Sequence, residues 1–354
     1  MPHLFDPLTL RSVRFRNRVG VAPMCQYSAG TDGIATDWHL AHLGARAVGG
    51  AGLVIAEATA VEARGRISPA DLGIWDDAQV PQLARIAAFI EQHGAVSGIQ
   101  IAHAGRKAGT APPFAGGRPL DDAEGGWNAV GASAIPFSPR HRTPEVLTPA
   151  EIGALRSAWV DAAVRARSAG FRFLELHAAH GYLLHSFLSP LSNERDDDYG
   201  GAFENRARFL LEVVRDVREV WPTDRVLAVR ISSTDWVDGG WTDRDTVALA
   251  KLLEREGIDV LDCSSGGSVP TAVVPTTPGY QIGFAEAVKR GTNLHTAAVG
   301  LITTPTQANE VITTEQADLV LLGRELLRNP HWPLGAAKLL GKEVPVPPQY
   351  ARAF

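Results

Sequence analysis

Short runs of apolar and β-branched residues alternate with amphipathic stretches from one end of the chain to the other. The runs are VGVAPM from Val19, GLVIAEATAV from Gly52, SGIQIAH from Ser97 and FRFLELHAA from Phe171. VLAVRIS from Val226, VLDCSSG from Val260, LHTAAVG from Leu294 and LVLLGR from Leu319 complete the set. Several are continuously apolar, as strands covered on both faces are. Helical patterns fill the gaps, most clearly from Pro149 to about Ser168. There Thr148 and Glu151 form a capping box, Pro149 takes the first helical position, and Ile152, Leu155 and Trp159 make an apolar stripe. Gly170 stands just past its end.

Eight strands, each followed by a helix, predict an α/β fold: a single (β/α)8 TIM barrel spanning residues 1–354, in preference to an open doubly wound sheet. The long stretch after the third strand, Lys107 to Leu147, is rich in Gly and Pro and carries Trp127. Loops of that length in compact proteins are usually functional, so it reads as a flap over the barrel mouth. The segment VPPQYARAF follows the last helical pattern as a C-terminal tail.

Composition narrows the function classes. The chain of 354 residues is 45% hydrophobic and 21% charged, with a net charge of −5 and both signs interspersed. No basic face for nucleic acid is expected. No apolar run reaches the roughly 18 residues that span a bilayer, and the N-terminus lacks the order of a signal peptide. A cytoplasmic protein without nucleic-acid or membrane partners is expected. Two cysteines, Cys25 and Cys263, are too few for a disulfide framework, a four-cysteine zinc site or an all-cysteine iron–sulfur cluster.

In this fold chemistry gathers at the C-terminal ends of the strands. Polar residues recur there: Cys25, Gln26 and Tyr27; Glu57; Gln100, His103, Arg106 and Lys107; His177, His180 and Tyr182; Arg230; Arg324. His177 and His180 are three apart, so on a flat strand they would face opposite sides. They converge only if the strand ends between them and the chain turns, which Gly181 eases. Metal capture with Glu57 and Cys25, packed core histidines, and a pair of donors aimed at a developing oxyanion all stay open on these grounds. Gly300 and Gly323–Arg324 end the last two strands, where barrels often hold a phosphate; tight turns explain the glycines equally well. A guanidinium in an apolar interior, Arg230, suits an anionic ring or a structural ion pair. GGAG at Gly49 precedes a strand instead of following one, which argues against a Rossmann site.

APMCQYSA, HAGRKA, ELHAAHGYLLHSFLSPLSNERDDDYGGAFENRARF, VGLI and LVLLGR resemble the Old Yellow Enzyme family of FMN-dependent ene-reductases over essentially the whole chain. Cys25, the short length and the tail resemble its thermophilic-like subclass; other members usually carry threonine at the cysteine's place. The resemblance implies bound FMN, NADPH or NADH as transient hydride donor, and enones as small-molecule substrates. The backbone of Ala22, Pro23, Met24 and Cys25 would line the flavin with Ala58 beside it, and Cys25 would tune its potential. Gln100 would bond the pyrimidine edge, and Arg230 would face N1 and the C2 carbonyl. Gly300, Gly323 and Arg324 would hold the phosphate. His177 and His180 would grip a substrate carbonyl, Tyr182 would donate the proton, and Tyr27 and Lys107 would bind substrate. Arg352 would enter the neighbouring site of a homodimer or dimer-built tetramer. Subclass members often have serine at Ala22, and many family members pair histidine with asparagine at the clamp. Reduction of quinones, nitro compounds or metal oxyanions at the same site is the main alternative. A non-catalytic flavin-binding barrel and a metal-dependent hydrolase are further ones.

Overall fold

The computed structural model describes residues 1–354. In chain order the strands are β1 (Leu8–Leu10), β2 (Val13–Phe15), β3 (Val19–Val21), β4 (Leu53–Ala60), β5 (Val96–Ala102), β6 (Val130–Gly131), β7 (Glu145–Val146), β8 (Phe173–Ala178), β9 (Val226–Ser232), β10 (Val260–Ser264), β11 (His295–Ala298) and β12 (Leu319–Leu322). The helices are α1 (Asp37–Val48), α2 (Val80–Gln92), α3 (Pro149–Ser168), α4 (Leu183–Leu188), α5 (Phe203–Val220), α6 (Asp243–Arg255), α7 (Ile282–Gly291), α8 (Pro305–Thr313), α9 (Arg324–Arg328) and α10 (Trp332–Leu339). Eight parallel strands close a barrel in the order β3-β4-β5-β8-β9-β10-β11-β12, β12 pairing back to β3. This is the (β/α)8 TIM barrel that the alternation of patterns predicts.

Each predicted strand falls on a barrel strand, and α3 begins at its capping box. Thr148 Oγ1 accepts the Glu151 N–H at 3.3 Å, and the Glu151 carboxylate accepts the Thr148 N–H at 2.8 Å. Two small sheets were not foreseen. The antiparallel pair β1–β2 lies before the barrel, and β6–β7 braces the loop after β5. Their strands have two or three residues, too few to show a period.

Strand alternation divides the apolar interior in two. Leu174, Leu176, Val229 and Ile231 face outward into the layer shared with the helices. Phe173, Val226, Ala228 and Val260 face inward and pack with Leu10, Val13 and Phe15 of the hairpin. The Phe15 and Phe173 rings meet edge to face at 6.4 Å. The N-terminal end of the barrel is therefore a closed apolar plug, and ligand chemistry is confined to the other end. No helix is long and apolar enough to cross a membrane.

Candidate active site

Two residues above the apolar plug, the same inward positions become polar. Phe173 gives way to Glu175 and then His177; Ala228 gives way to Arg230; Val260 gives way to Asp262 and then Ser264. Gln100 pairs in register with Glu175, and Arg230 with both His177 and Asp262. On β4 a bulge between Ala56 and Ala58 interrupts the alternation. It leaves Glu57 unpaired and aligns Ala58 with Gln100. A bulge re-aims side chains in this way. The Glu57 carboxylate accepts the Gln26 N–H at 2.6 Å and lies 3.4 Å from Nε2 of His39 on α1. It does not join His177 and His180, and a small alanine side chain takes its place at the mouth.

At the end of β8 the chain turns sharply. His180 has φ +61° and Gly181 φ +74°. A Cβ on Gly181 would lie 2.2 Å from the Gly267 carbonyl oxygen, so glycine is required there twice over. The left-handed conformation at His180 costs of order 1–3 kcal/mol and persists only where its surroundings over-determine it. The turn brings the His180 ring to 5.2 Å from that of His177, nearly perpendicular to it. Tyr182 lies 5.0 Å from His177. The two imidazoles and the phenol thus form one cluster, although their sequence spacing alone would separate them.

Protonation is readable from the contacts. His177 Nδ1 accepts the Ala179 N–H at 3.3 Å, which leaves Nε2–H as its free donor. His180 Nε2 is 2.7 Å from Ser264 Oγ. Burial, reinforced by the Arg230 guanidinium, pushes both histidines well below their ordinary range, so the rings are neutral. Burial likewise holds the Tyr182 phenol well above its usual value, hence protonated. Neutral donors in a buried site can stabilise growing negative charge.

Beside this cluster opens a cavity of about 500 Å3. Its walls include Ala22, Pro23 and Met24, then His180 and Arg230, then Gly300, Gly323 and Arg324. Of the remaining expected residues, Ala58 and Tyr182 border a second, very small cavity nearby. Gln100 is buried behind the mouth and donates from Nε2 to Glu175 Oε1 at 2.7 Å, leaving its own carbonyl oxygen free of that bond. Tyr27 meets Phe114 of the long loop after β5, ring to ring at 6.3 Å. Lys107 Nζ lies over the Phe137 and Tyr182 rings, at 4.3 and 5.0 Å. Burial lowers its pKa to about 8. Arg352 is on the exposed tail, past the turn Pro348–Tyr350. Ser264, Tyr280 and Leu301 also line the large cavity and were not anticipated. Ser264 was within reach of the alternation argument, two residues beyond Asp262. Leu301, with φ +52°, carries no sequence signal.

The cavity suits a flat, anionic cofactor. Its volume lies within the roughly 300–1,000 Å3 of small-molecule sites. Arg230 Nε is 2.9 Å from Asp262 Oδ2, yet neither atom has a well-aligned hydrogen-bond partner, so the guanidinium retains donor capacity toward the cavity. Arg324 provides a second cation, and a Cβ on Gly323 would have only Met24 Sδ nearby, at 3.4 Å. Gly300, at φ +120°, admits a backbone path that side-chain-bearing residues rarely take.

Barrel, cavity and donor cluster together define a flavin-dependent oxidoreductase of the TIM-barrel class. The profile of the NADH:flavin oxidoreductase / NADH oxidase family matches residues 3–343, and the chain belongs to that family, that of Old Yellow Enzyme. It is 49% identical over 352 residues to the NADPH dehydrogenase of Geobacillus sp. (strain WCH70), covering 99% of this chain and 98% of the relative. Morphinone reductase in complex with tetrahydroNAD superposes with a TM-score of 0.80 at 28% identity, over 99% of this chain and 94% of that one. 2-Naphthoyl-CoA reductase in complex with 2-naphthoyl-CoA gives 0.86 at 28% identity over 96% of this chain, which spans only 52% of that longer protein. The protein is an NAD(P)H-dependent FMN oxidoreductase.

Proposed function

We propose that this enzyme reduces the C=C bond of α,β-unsaturated carbonyl compounds, with His177 and His180 as the carbonyl clamp and Tyr182 as the proton donor. The observation that carries this reading is the convergence of two neutral imidazoles and a protonated phenol beside a cavity edged by Arg230. Bound FMN would supply the hydride chemistry, with NADPH or NADH as the hydride source. The backbone of Ala22 to Cys25 and the small Ala58 would line the ring system, and Gln100 would bond its pyrimidine edge. Arg230 would stabilise the negative charge that the ring gains on reduction. Gly300, Gly323 and Arg324 would hold the phosphate.

Addition of hydride to Cβ moves the π electrons onto the carbonyl oxygen as an enolate. His177 Nε2–H and the His180 ring donate hydrogen bonds to that oxygen, each worth about 3 kcal/mol of barrier. Tyr182 then gives its proton to Cα, completing net addition of H2 across the double bond. Tyr27 and Lys107 bound the substrate side of the pocket, and Arg352 of a second copy closes it in a homodimer or dimer-built tetramer.

The test is anaerobic. The flavin of the holoenzyme is photoreduced, 2-cyclohexenone is added, and the return of the oxidised flavin band is followed. Fast reoxidation is expected in the natural protein. In the double variant His177→Ala/His180→Ala we expect retained FMN and a rate lower by at least about 100-fold. Reoxidation of that variant at the natural rate would remove the clamp from the mechanism. A reduced natural enzyme that ignores the enone yet is oxidised by a quinone would move the activity to quinone reduction.

A further inference from the structure

The clamp cluster depends on a turn with two successive left-handed residues, and its backbone polar groups are not satisfied by regular secondary structure. Side chains from other elements satisfy them. The His180 N–H donates to Ser232 Oγ at 2.8 Å, and that hydroxyl donates onward to the Gly266 carbonyl at 2.8 Å. With its proton committed, Ser232 can only accept from His180. Lys107 Nζ donates to the His180 carbonyl at 2.9 Å and to that of Gly267 at 3.2 Å, tying the turn to the loop after β10. The Gly181 N–H donates to His185 Nδ1 at 2.8 Å.

His185, on α4, is fully buried. Because its Nδ1 accepts from Gly181, its proton is on Nε2, and Nε2 lies 3.3 Å from Asp235 Oδ1, off the best hydrogen-bond line. Asp235 is equally buried and is oriented by Ser189 Oγ at 2.5 Å and the Trp241 N–H at 2.8 Å. A carboxylate there favours the Nε2–H tautomer; the opposite tautomer would set a ring N–H against the Gly181 N–H. Ser232, His185 and Asp235 border neither cavity.

We propose that Ser232 and the His185–Asp235 pair, together with Lys107, are positioning residues that hold the His180–Gly181–Tyr182 turn so that clamp and proton donor face the substrate. The inference rests on the clamp reading above and extends it to Ser232, His185 and Asp235, which line neither cavity. They act through the backbone. Loss of an anchor lets the turn relax toward ordinary φ values, and His180 and Tyr182 rotate out of register with His177.

The experiment compares two oxidants of the photoreduced holoenzyme. Enone oxidation needs the clamp, whereas ferricyanide takes electrons one at a time and does not. In Ser232→Ala and Asp235→Asn we expect the enone rate to fall at least tenfold while the ferricyanide rate and FMN content stay within twofold. Ser232→Thr, which keeps the hydroxyl, should recover most of the enone rate. His185→Asn, whose amide oxygen can stand in for Nδ1, should be less impaired than His185→Leu. Equal slowing toward both oxidants would mean general damage to the flavin pocket and would overturn the proposal. So would an unchanged enone rate in both Ser232→Ala and Asp235→Asn. His177→Ala/His180→Ala, measured alongside, separates the two failures. If it too keeps full enone activity, the clamp reading falls; if it loses activity while the anchors do not, only the positioning role falls.

Discussion

The two ends of the barrel are built from the same strands and differ only in what stands two residues further along. At the N-terminal end the inward positions are Phe173, Val226 and Val260, sealed by Phe15 and its hairpin. At the C-terminal end they are His177, Arg230 and Ser264, with Glu175 and Asp262 between. The plug gains stability from burial and close packing. The mouth gives some of that up: its carboxyls are fully buried, Glu175 Oε2 and both Asp262 oxygens lack aligned partners, and the turn at His180 is left-handed. A scaffold can hold such a mouth only because the other end repays the cost.

The comparison breaks first if the plug proves dispensable. Phe173 is 2% exposed, and Phe173→Ala removes a ring that Phe15 cannot replace. A loss of about 3–5 kcal/mol is expected from urea unfolding of the holoenzyme. The enone rate per folded molecule should be nearly unchanged, since the ring packs in the plug, two residues below Glu175 on β8. A large drop in rate at full occupancy of FMN would show that the two ends are not separable.

Glu175→Gln sharpens the comparison from the other side. Burial, then the neighbouring Asp262, raises the Glu175 carboxyl above its ordinary range, against the pull of Arg230. A raised carboxyl binds a proton in the folded state that the unfolded chain has released. Stability is therefore present below the ordinary carboxylate pKa and falls as pH rises through the folded value. The slope for one such group is at most about 1.4 kcal/mol per pH unit. The glutamine still accepts from Gln100 and carries no charge. Melting temperatures from about pH 5 to about pH 8 should fall less steeply in the variant than in the natural protein. Parallel curves would mean that Glu175 does not titrate in the folded state.

How much of this was legible depended on whether the signal was local. β9 runs from Val226 to Ser232, the same residues as its apolar run, and α3 starts where Thr148, Pro149 and Glu151 place it. These rest on short-range chemistry. The aim of Glu57 was not legible, because regular alternation points it inward and only the bulge, set by pairing with β5, releases it. The approach of His180 to His177 was legible in part: a turn eased by Gly181 was expected, but not the left-handed conformation of His180 itself. The turn is hydrogen-bonded to Ser232 and Lys107, both more than 50 residues away in sequence, and to His185 on the next helix. His177, His180 and Tyr182 were singled out through resemblance, while the contacts that hold their turn are visible only in three dimensions.

The smallest expected effect is at Cys25, where the mouth should respond in chemistry and not in stability. Burial, then Glu57 and Asp71, push its thiol well above the usual range, so it acts as a neutral group. If it borders the flavin as the family motif places it, it can influence the ring only through a hydrogen bond or dipole. A change of about 1 kcal/mol in one such contact corresponds to about 20 mV for a two-electron couple. Cys25→Ser replaces a weak sulfur donor by a stronger oxygen donor of similar shape. A shift of that order in the flavin midpoint potential is therefore expected, with the urea midpoint unchanged. An unshifted potential would make Cys25 a packing residue in the loop after β3. A shifted urea midpoint would place it with the plug in its energetics, despite its position at the mouth.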